Sequence, residues 1–263
     1  MKRSTLLAFV CLALFAPAMA QADTLADIKA RQKLIVGVDL GVPPYGTVDA
    51  KMQPTGSDVA AAQLLADALG VKLEIVPSVG ANRIPFLQTG KVDIVMASFS
   101  ITEARKKVVD FSLPYGVISI ICAGPPNVAI SGPKDLEGKT VAVTRGTGAD
   151  MDTTRMAKAD DKISIVRFED DATLITALAT GQQNIMISAP AQMNDANARA
   201  GKTLLVSKFT VRTNGYAVGI RKGDDALRTA INNWIEKDLA NGKLRTVYKQ
   251  FHGTDLPAEM PKE

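Results

Sequence analysis

The chain has 263 residues, 46% apolar and 22% charged, with 31 basic side chains against 27 acidic ones. These proportions belong to globular proteins and exclude disordered, collagenous and coiled-coil classes. A net charge of +4 without a dense basic patch leaves no nucleic-acid footprint. The length allows one or two domains, each with its own core.

Lys2 and Arg3 precede an apolar run over residues 6–16, then Pro17 and the small-x-small triplet Ala18-Met19-Ala20. That order is the one found in secretory signal peptides, and the run is too short to span a bilayer. Residues 1–20 are therefore expected to be removed, leaving a mature chain of net charge +2 in an exported compartment, the periplasm. Cys122 is then the remaining cysteine; lying in the apolar stretch 117–123, it reads as a buried structural thiol.

The body alternates two periodicities. Residues 34–38 are apolar and β-branched, predicting a buried strand. Ser57 and Asp58 are placed to cap a helix that Gly70 stops. A strand over 71–76, a short helix over 84–88 and a strand over 92–97 follow. The pattern then restarts: a strand over 140–143, a tight turn at Gly146-Thr147-Gly148 opening a helix, and a strand over 163–168. Asp171 reads as the cap of a helix closed by Gly181, and 185–187 as another strand. Strands alternating with helices imply parallel sheet covered by helices. Two such modules predict an α/β protein of two lobes with a cleft between them. Leu227, Ile231, Trp234, Ile235 and Leu239 recur at helical spacing, so Trp234 reads as core. His252 has no partner in sequence for metal or triad chemistry.

Four segments carry chemistry. They are 37–45 after the first strand, 82–93, the run 97–105 (Ala-Ser-Phe-Ser-Ile-Thr-Glu-Ala-Arg) leading to Asp110-Phe111-Ser112-Leu113-Pro114-Tyr115, and Arg145-Gly146-Thr147-Gly148. Three of them lie beyond the carboxyl ends of predicted strands, where open α/β sheets bind ligands. The glycine turn lacks the third glycine of a dinucleotide fingerprint and the Lys-Ser/Thr of a P-loop, so nucleotides are discounted.

In this order the segments resemble the periplasmic solute-binding proteins of polar amino-acid ABC importers, the family 3 extracellular solute-binding proteins. The resemblance covers nearly the whole mature chain, and the Ser-Ile-Thr-Glu-x-Arg to Asp-Phe-Ser-x-Pro-Tyr stretch is its most specific part. It implies a two-lobed periplasmic-binding-protein type II fold with two interlobe crossovers near Gly116–Val117 and Thr213–Asn214. Lobe 1 would comprise 24–116 and 214–263, and lobe 2 would comprise 117–213. It further implies a monomeric receptor without cofactor or catalytic residues, partnered by a small carboxylate ligand and by ABC permease membrane subunits, not by nucleic acid.

The resemblance also assigns residues. Arg105 matches the arginine that clamps a ligand carboxylate, a grip that a planar guanidinium makes with two parallel bonds. Ser98 and Ser100 match contacts to the ligand head group. Thr147, with the Gly148 turn, matches a second-lobe carboxylate contact. Tyr45 and Phe99 match positions packing on the ligand's aliphatic part, with core packing the alternative for Phe99. Arg83 resembles an arginine that reads a second carboxylate, and Asp39 an aspartate that reads cationic side chains; facing one another, they would pair. Ala189 stands where family members that bind α-amino acids carry an aspartate for the ammonium. Either Asp39, Asp58 or Asp150 compensates, or the ligand is a carboxylate without a normal α-ammonium. The runner-up is an enzyme of the cyclohexadienyl dehydratase type on the same fold, disfavoured because 185–192 offers no acid or base.

Overall fold

The structure, a computed structural model, describes residues 23–159 and 162–261; the expected signal peptide lies outside them. The elements in chain order are α1 (Thr24–Arg31), β1 (Lys33–Val38), a small antiparallel pair β2 (Thr47–Val48) and β3 (Pro54–Thr55), α2 (Ser57–Leu69), β4 (Lys72–Pro77), α3 (Arg83–Gln88), β5 (Ile94–Val95), α4 (Glu103–Lys106) and β6 (Val109–Gly124). After a 3₁₀ turn at Pro133–Leu136 come β7 (Thr140–Thr144), α5 (Gly148–Ala159), β8 (Ser164–Phe168), α6 (Asp171–Ala179), β9 (Met186–Ser188), α7 (Pro190–Ala200), β10 (Val206–Arg221), α8 (Asp225–Ala240) and α9 (Lys243–His252).

One mixed sheet runs in the order β4-β1-β5-β10-β6-β9-β7-β8. The outer triplets β4-β1-β5 and β9-β7-β8 are parallel within themselves. Between them β6 and β10, each 16 residues long, pair antiparallel from Val109 opposite Arg221 to Gly124 opposite Val206. The first triplet joins this ribbon at one end, through Val95 opposite Gly219. The second joins at the other end, through Ile121, Cys122 and Ala123 of β6. Two parallel α/β lobes therefore share two long crossing strands.

One apolar cluster runs along the sheet from Leu34 and Val36 of β1 through Ile120 and Cys122 of β6 to Val141 and Val143 of β7, and a smaller one lies in the second lobe. Leu34, Val36 and Ile94 of the first triplet are fully buried against Ala62 and Leu65 of α2 and Ile231 and Ile235 of α8. In the second lobe Leu174 and Leu178 of α6 bury against Ala142 and Met186. Each such aliphatic side chain contributes about 1.5–3 kcal/mol of transfer free energy. Trp234 is core, its indole N–H donating to Asp238 at 2.9 Å. Cys122 is buried, and its desolvation pushes the thiol up to about 12.

Two capping expectations are corrected. Gly56 occupies the cap of α2, with no side-chain cap bond, which frees Ser57 and Asp58 for tertiary contacts. Asp170, not Asp171, caps α6, accepting from Thr173 N at 2.8 Å. Asp171 is thereby the first helical residue, and its side chain turns inward.

His252 is also not isolated. Its ring stacks on Tyr248 with centroids 4.1 Å apart, meets Tyr45 edge-on, and has Nε2 3.0 Å from Ser57 Oγ. Burial lowers its pKa from 6.5 to about 4. Between those values the unfolded chain binds the proton more readily, so this group's stability, present above pH 6.5, is lost as pH falls toward 4. Asp58 (about 6) and Asp171 (about 7) are raised by burial and act in the opposite sense. The expected result for His252→Gln is a smaller drop in melting midpoint from pH 7 to pH 4.5 than the wild type shows. Equal drops would exclude His252 as an acid-sensitive group.

Candidate functional site

Where the two lobes face one another, a narrow cavity of about 30 Å³ is walled by both. Val42 follows β1, Arg83 opens α3 after β4, and Ser98 and Ser100 follow β5. From the second lobe come Thr147, Gly148 and Ala149 after β7, Asp171 after β8, and Ser188, Ala189 and Gln192 around the end of β9. Ile118 and Ile120 of β6 supply the remaining apolar wall. All six connections after the parallel strands thus deliver residues from the strands' carboxyl ends, where backbone and side-chain groups converge without a sheet partner.

The first-lobe wall is tightly held. Ser98 adopts φ +43°, a left-handed conformation costing on the order of 1–3 kcal/mol for a non-glycine residue. The buried Asp58 carboxylate holds it there, accepting from Ser98 N at 2.6 Å and from Tyr115 Oη at 2.7 Å. Arg83 Nη2 donates to Asp39 at 2.7 Å, both groups being buried. The pairing expected if these two residues met is therefore observed, with Arg83 at the cavity wall and Asp39 behind it. Arg83 Nε has no hydrogen-bond partner.

Arg105 lies between the lobes but not in the cavity wall. Its Cζ sits 4.3 Å from the Phe99 ring centroid. Nη1 donates to Ser100 O at 2.7 Å, Nη2 crosses the cleft to Gly146 O at 2.9 Å, and Nε is buried without a partner. Burial pulls its pKa well below the usual arginine range, and the positive fields of Arg83 and Arg212 add to this. Arg212 of β10 donates through Nε to Asp152, which also accepts from Arg155 at 2.9 Å; Arg212 Nη2 is buried and unpartnered, against Gly148. Three guanidinium groups surround the cleft, each with a nitrogen lacking an acceptor. Such an arrangement favours an anion, because an unpaired buried donor costs about 1–3 kcal/mol.

Gly146 allows the close approach of the lobes. It has φ +73°, and a Cβ there would stand 2.9 Å from Ala81 Cα and from the Gly80 carbonyl. Thr147 Oγ1 donates to Thr144 O at 2.7 Å and accepts from Asp150 N at 3.2 Å. Its hydroxyl therefore shapes the turn while the residue lines the cavity.

The structure brings Arg83, Ser98, Ser100, Thr147, Gly148 and Ala189 together around one cavity. It corrects two expectations. Tyr45 packs into the core against Tyr216 and His252, with centroid distances of 5.5 and 4.8 Å, and Phe99 packs on Phe111 at 5.1 Å. Neither ring lines the cavity, because both fill the space under the first lobe's connecting strands. Of the three candidates to replace a carboxylate at 189, none lines the cavity: Asp39 serves Arg83, Asp58 serves Ser98 and Tyr115, and Asp150 serves Arg167 at 2.8 Å.

Sequence reasoning missed Asp171 and Gln192. Asp171 Oδ1 accepts from Thr144 Oγ1 at 2.7 Å, and burial followed by the field of Asp39 pushes its pKa up to about 7. Gln192 Oε1 is buried without a donor. Among the described residues no group of three or more His, Cys, Asp or Glu side chains could hold a metal ion, and no helix is long and apolar enough to cross a membrane.

The profile of the bacterial extracellular solute-binding proteins, family 3, matches residues 34–254. The chain belongs to that family. This family 3 solute-binding protein is 27% identical over 235 residues to the L-cystine-binding protein TcyJ of Escherichia coli K12, covering 88% of this chain and 87% of the relative. It is 30% identical over 243 residues to the glutamine-binding protein GlnH of Bacillus subtilis, covering 90% and 87%. Among solved structures, a mutant of ArgBP from T. maritima superposes with a TM-score of 0.79 at 30% identity, covering 88% of this chain and 99% of that one. The ancestral amino-acid-binding protein AncCDT-1, described as a precursor of cyclohexadienyl dehydratase, superposes at 0.77 with 32% identity, covering 87% and 99%. The relatives are thus proteins named for binding amino acids, and the two-lobed α/β fold is theirs as well.

Proposed function

We propose that this chain is the periplasmic substrate-binding component of an ABC importer, capturing a small carboxylate-bearing solute, a polar amino acid or a related organic acid, and delivering it to membrane permease subunits. The observation that carries this reading is the cavity between the lobes, walled by both and surrounded by guanidinium nitrogens without acceptors. A free volume of about 30 Å³ holds roughly two waters, so a solute of amino-acid size enters only as the halves part. The ribbon of β6 and β10 is the connection about which they would move, near Gly116–Val117 and Thr213–Asn214, with 24–116 and 214–263 forming one lobe and 117–213 the other. Arg105 exchanges a carbonyl partner for the ligand carboxylate, Ser98 and Ser100 complete its first-lobe contacts, and Thr147 with the Gly148 turn meets it from the second lobe. Closure is favoured because the ligand's contacts to both lobes exist only in the closed form. The receptor works without catalysis.

Ligand that binds only the native state stabilises it by about 2.7 kcal/mol at a hundredfold excess over Kd, worth ~5–10 °C for a chain of this size. A thermal-shift panel of amino acids and small organic acids should therefore give a rise of that order for a small subset. A flat panel would end the proposal.

A second reading has one observation in its favour: Asp171 places in the cavity an acid poised near neutrality, the property a dehydratase would use. Incubation with prephenate or arogenate separates the two readings. Aromatic product would favour the enzyme, and none is expected.

A further inference from the structure

The second-lobe wall differs in character from the first. Arg83 stands in the first-lobe wall with an unpartnered Nε, whereas the second lobe contributes two acceptors, Asp171 and Gln192, to the same cavity. Asp171 accepts one bond, from Thr144, out of the roughly four lone-pair sites a carboxylate offers. Gln192, 3% exposed, has its amide oxygen unmatched. A buried acceptor without a donor is as costly as a buried donor without an acceptor. These two groups come from different helices, α6 and α7, so local turn geometry does not account for their convergence. Ala189, lining the same cavity, contributes no polar side chain.

We propose that Asp171 and Gln192 together receive a protonated amino group of the ligand, so that the cavity selects an amine-bearing carboxylate over its deaminated counterpart. This deepens the solute-capture reading and rests on it. The chemistry is complementary at both ends: N–H donors of an ammonium satisfy Asp171 and Gln192, while its carboxylate satisfies the arginine side. The ion pair replaces hydration that the narrow cavity removes, and a charge-assisted bond is about twice as strong as a neutral one.

Proton linkage follows. Asp171 is faced by Asp39 and Asp170, which raise its pKa, and by Thr144 and Arg83, which lower it, with burial the largest influence. Near neutrality it therefore holds a proton for part of the time. An arriving ammonium favours the carboxylate, so binding releases a proton, and affinity falls as pH drops below 7.

The test uses the mature protein, isothermal titration calorimetry and matched probes: L-glutamine against glutaramate, L-histidine against imidazolepropionate, and L-arginine against 5-guanidinopentanoate. The best-bound pair should favour the amine by at least 100-fold, with proton release at pH 7 detected as a difference between phosphate and Tris buffers. Asp171→Asn, which keeps an acceptor for Thr144, should reduce that preference below tenfold and abolish the release. Gln192→Leu, on the other helix, should reduce it independently. A preference for the deaminated acids, or an amine preference unchanged in both variants, overturns this assignment and leaves solute capture standing. Absence of binding by every probe and by the wider panel overturns both.

Discussion

Arg105→Ala is expected to remove most ligand affinity, by ~2–5 kcal/mol as for loss of one partner of a buried charged pair, or about 30- to 4,000-fold in Kd. The physical reasons are separable. The guanidinium is fully buried over Phe99 and joins Ser100 O to Gly146 O, so its removal deletes a direct bond between the lobes as well as the charge that a ligand carboxylate requires. Arg105→Lys is expected to recover little, since an ammonium on a flexible stem cannot satisfy two fixed acceptors in one plane. Titration calorimetry on folded variants decides the matter. An alanine variant within twofold of wild type would remove Arg105 from the site.

Arg83→Ala is expected to cost ~3–5 kcal/mol of folding stability, the penalty for stranding one member of a buried ion pair. The stranded group is Asp39, whose carboxylate accepts from Arg83 at 2.7 Å and otherwise only from Gly41 N at 3.2 Å. Loss of Arg83 also withdraws a positive field from Asp58 and Asp171, both already raised, so the variant should be most impaired at alkaline pH, where these two carboxyls must ionise. The double variant Arg83→Met/Asp39→Leu should recover most of the loss, because replacing a whole buried pair by apolar groups is often neutral or better. Urea melts of the three proteins measure this. A double variant as unstable as the single one would show that packing, not stranded charge, is what Arg83 supplies.

Much of the parallel framework was legible because its strands are short apolar runs. The 34–38 and 140–143 runs became β1 and β7 nearly as read, since strands buried on both faces leave no polar alternation to misinterpret. The 92–97 run shortened to Ile94–Val95. Its flanks still bond to β1, through Asp93 N to Ile35 O and Met96 N to Gly37 O, but without a continuous ladder. The two longest strands carried no such signal. β6 includes Pro114 and Gly116, β10 joins a half with exposed Ser207, Thr210 and Thr213 to a buried half containing Gly215 and Gly219, and their pairing has several register shifts. Each is a strand because the other is present, a non-local fact that no window of sequence contains.

The site divided along similar lines. Ser98, Ser100 and Thr147 lie in contiguous motifs after strands and could be placed by them. Asp171 was hidden by a one-residue ambiguity: as a cap it would have pointed along the helix, whereas with Asp170 capping it points into the cavity. Gln192 sits in a polar helical stretch with nothing to distinguish it from a solvated face. Tyr45 and Phe99 neighbour the right residues, but the direction of an aromatic ring is set by tertiary packing.

The shared ribbon also dictates an order of assembly. The triplet β9-β7-β8 and its helices α5, α6 and α7 come from one uninterrupted stretch, residues 140–200, able to collapse from contacts close in sequence. The other lobe cannot finish its sheet until β10 supplies Gly219 and Ile220 beside Val95 and Ile94, and until α8 and α9, still later in the chain, close over it. Long loops must be closed before those contacts reward the chain. A polypeptide built this way completes its native state only after its last helices have emerged.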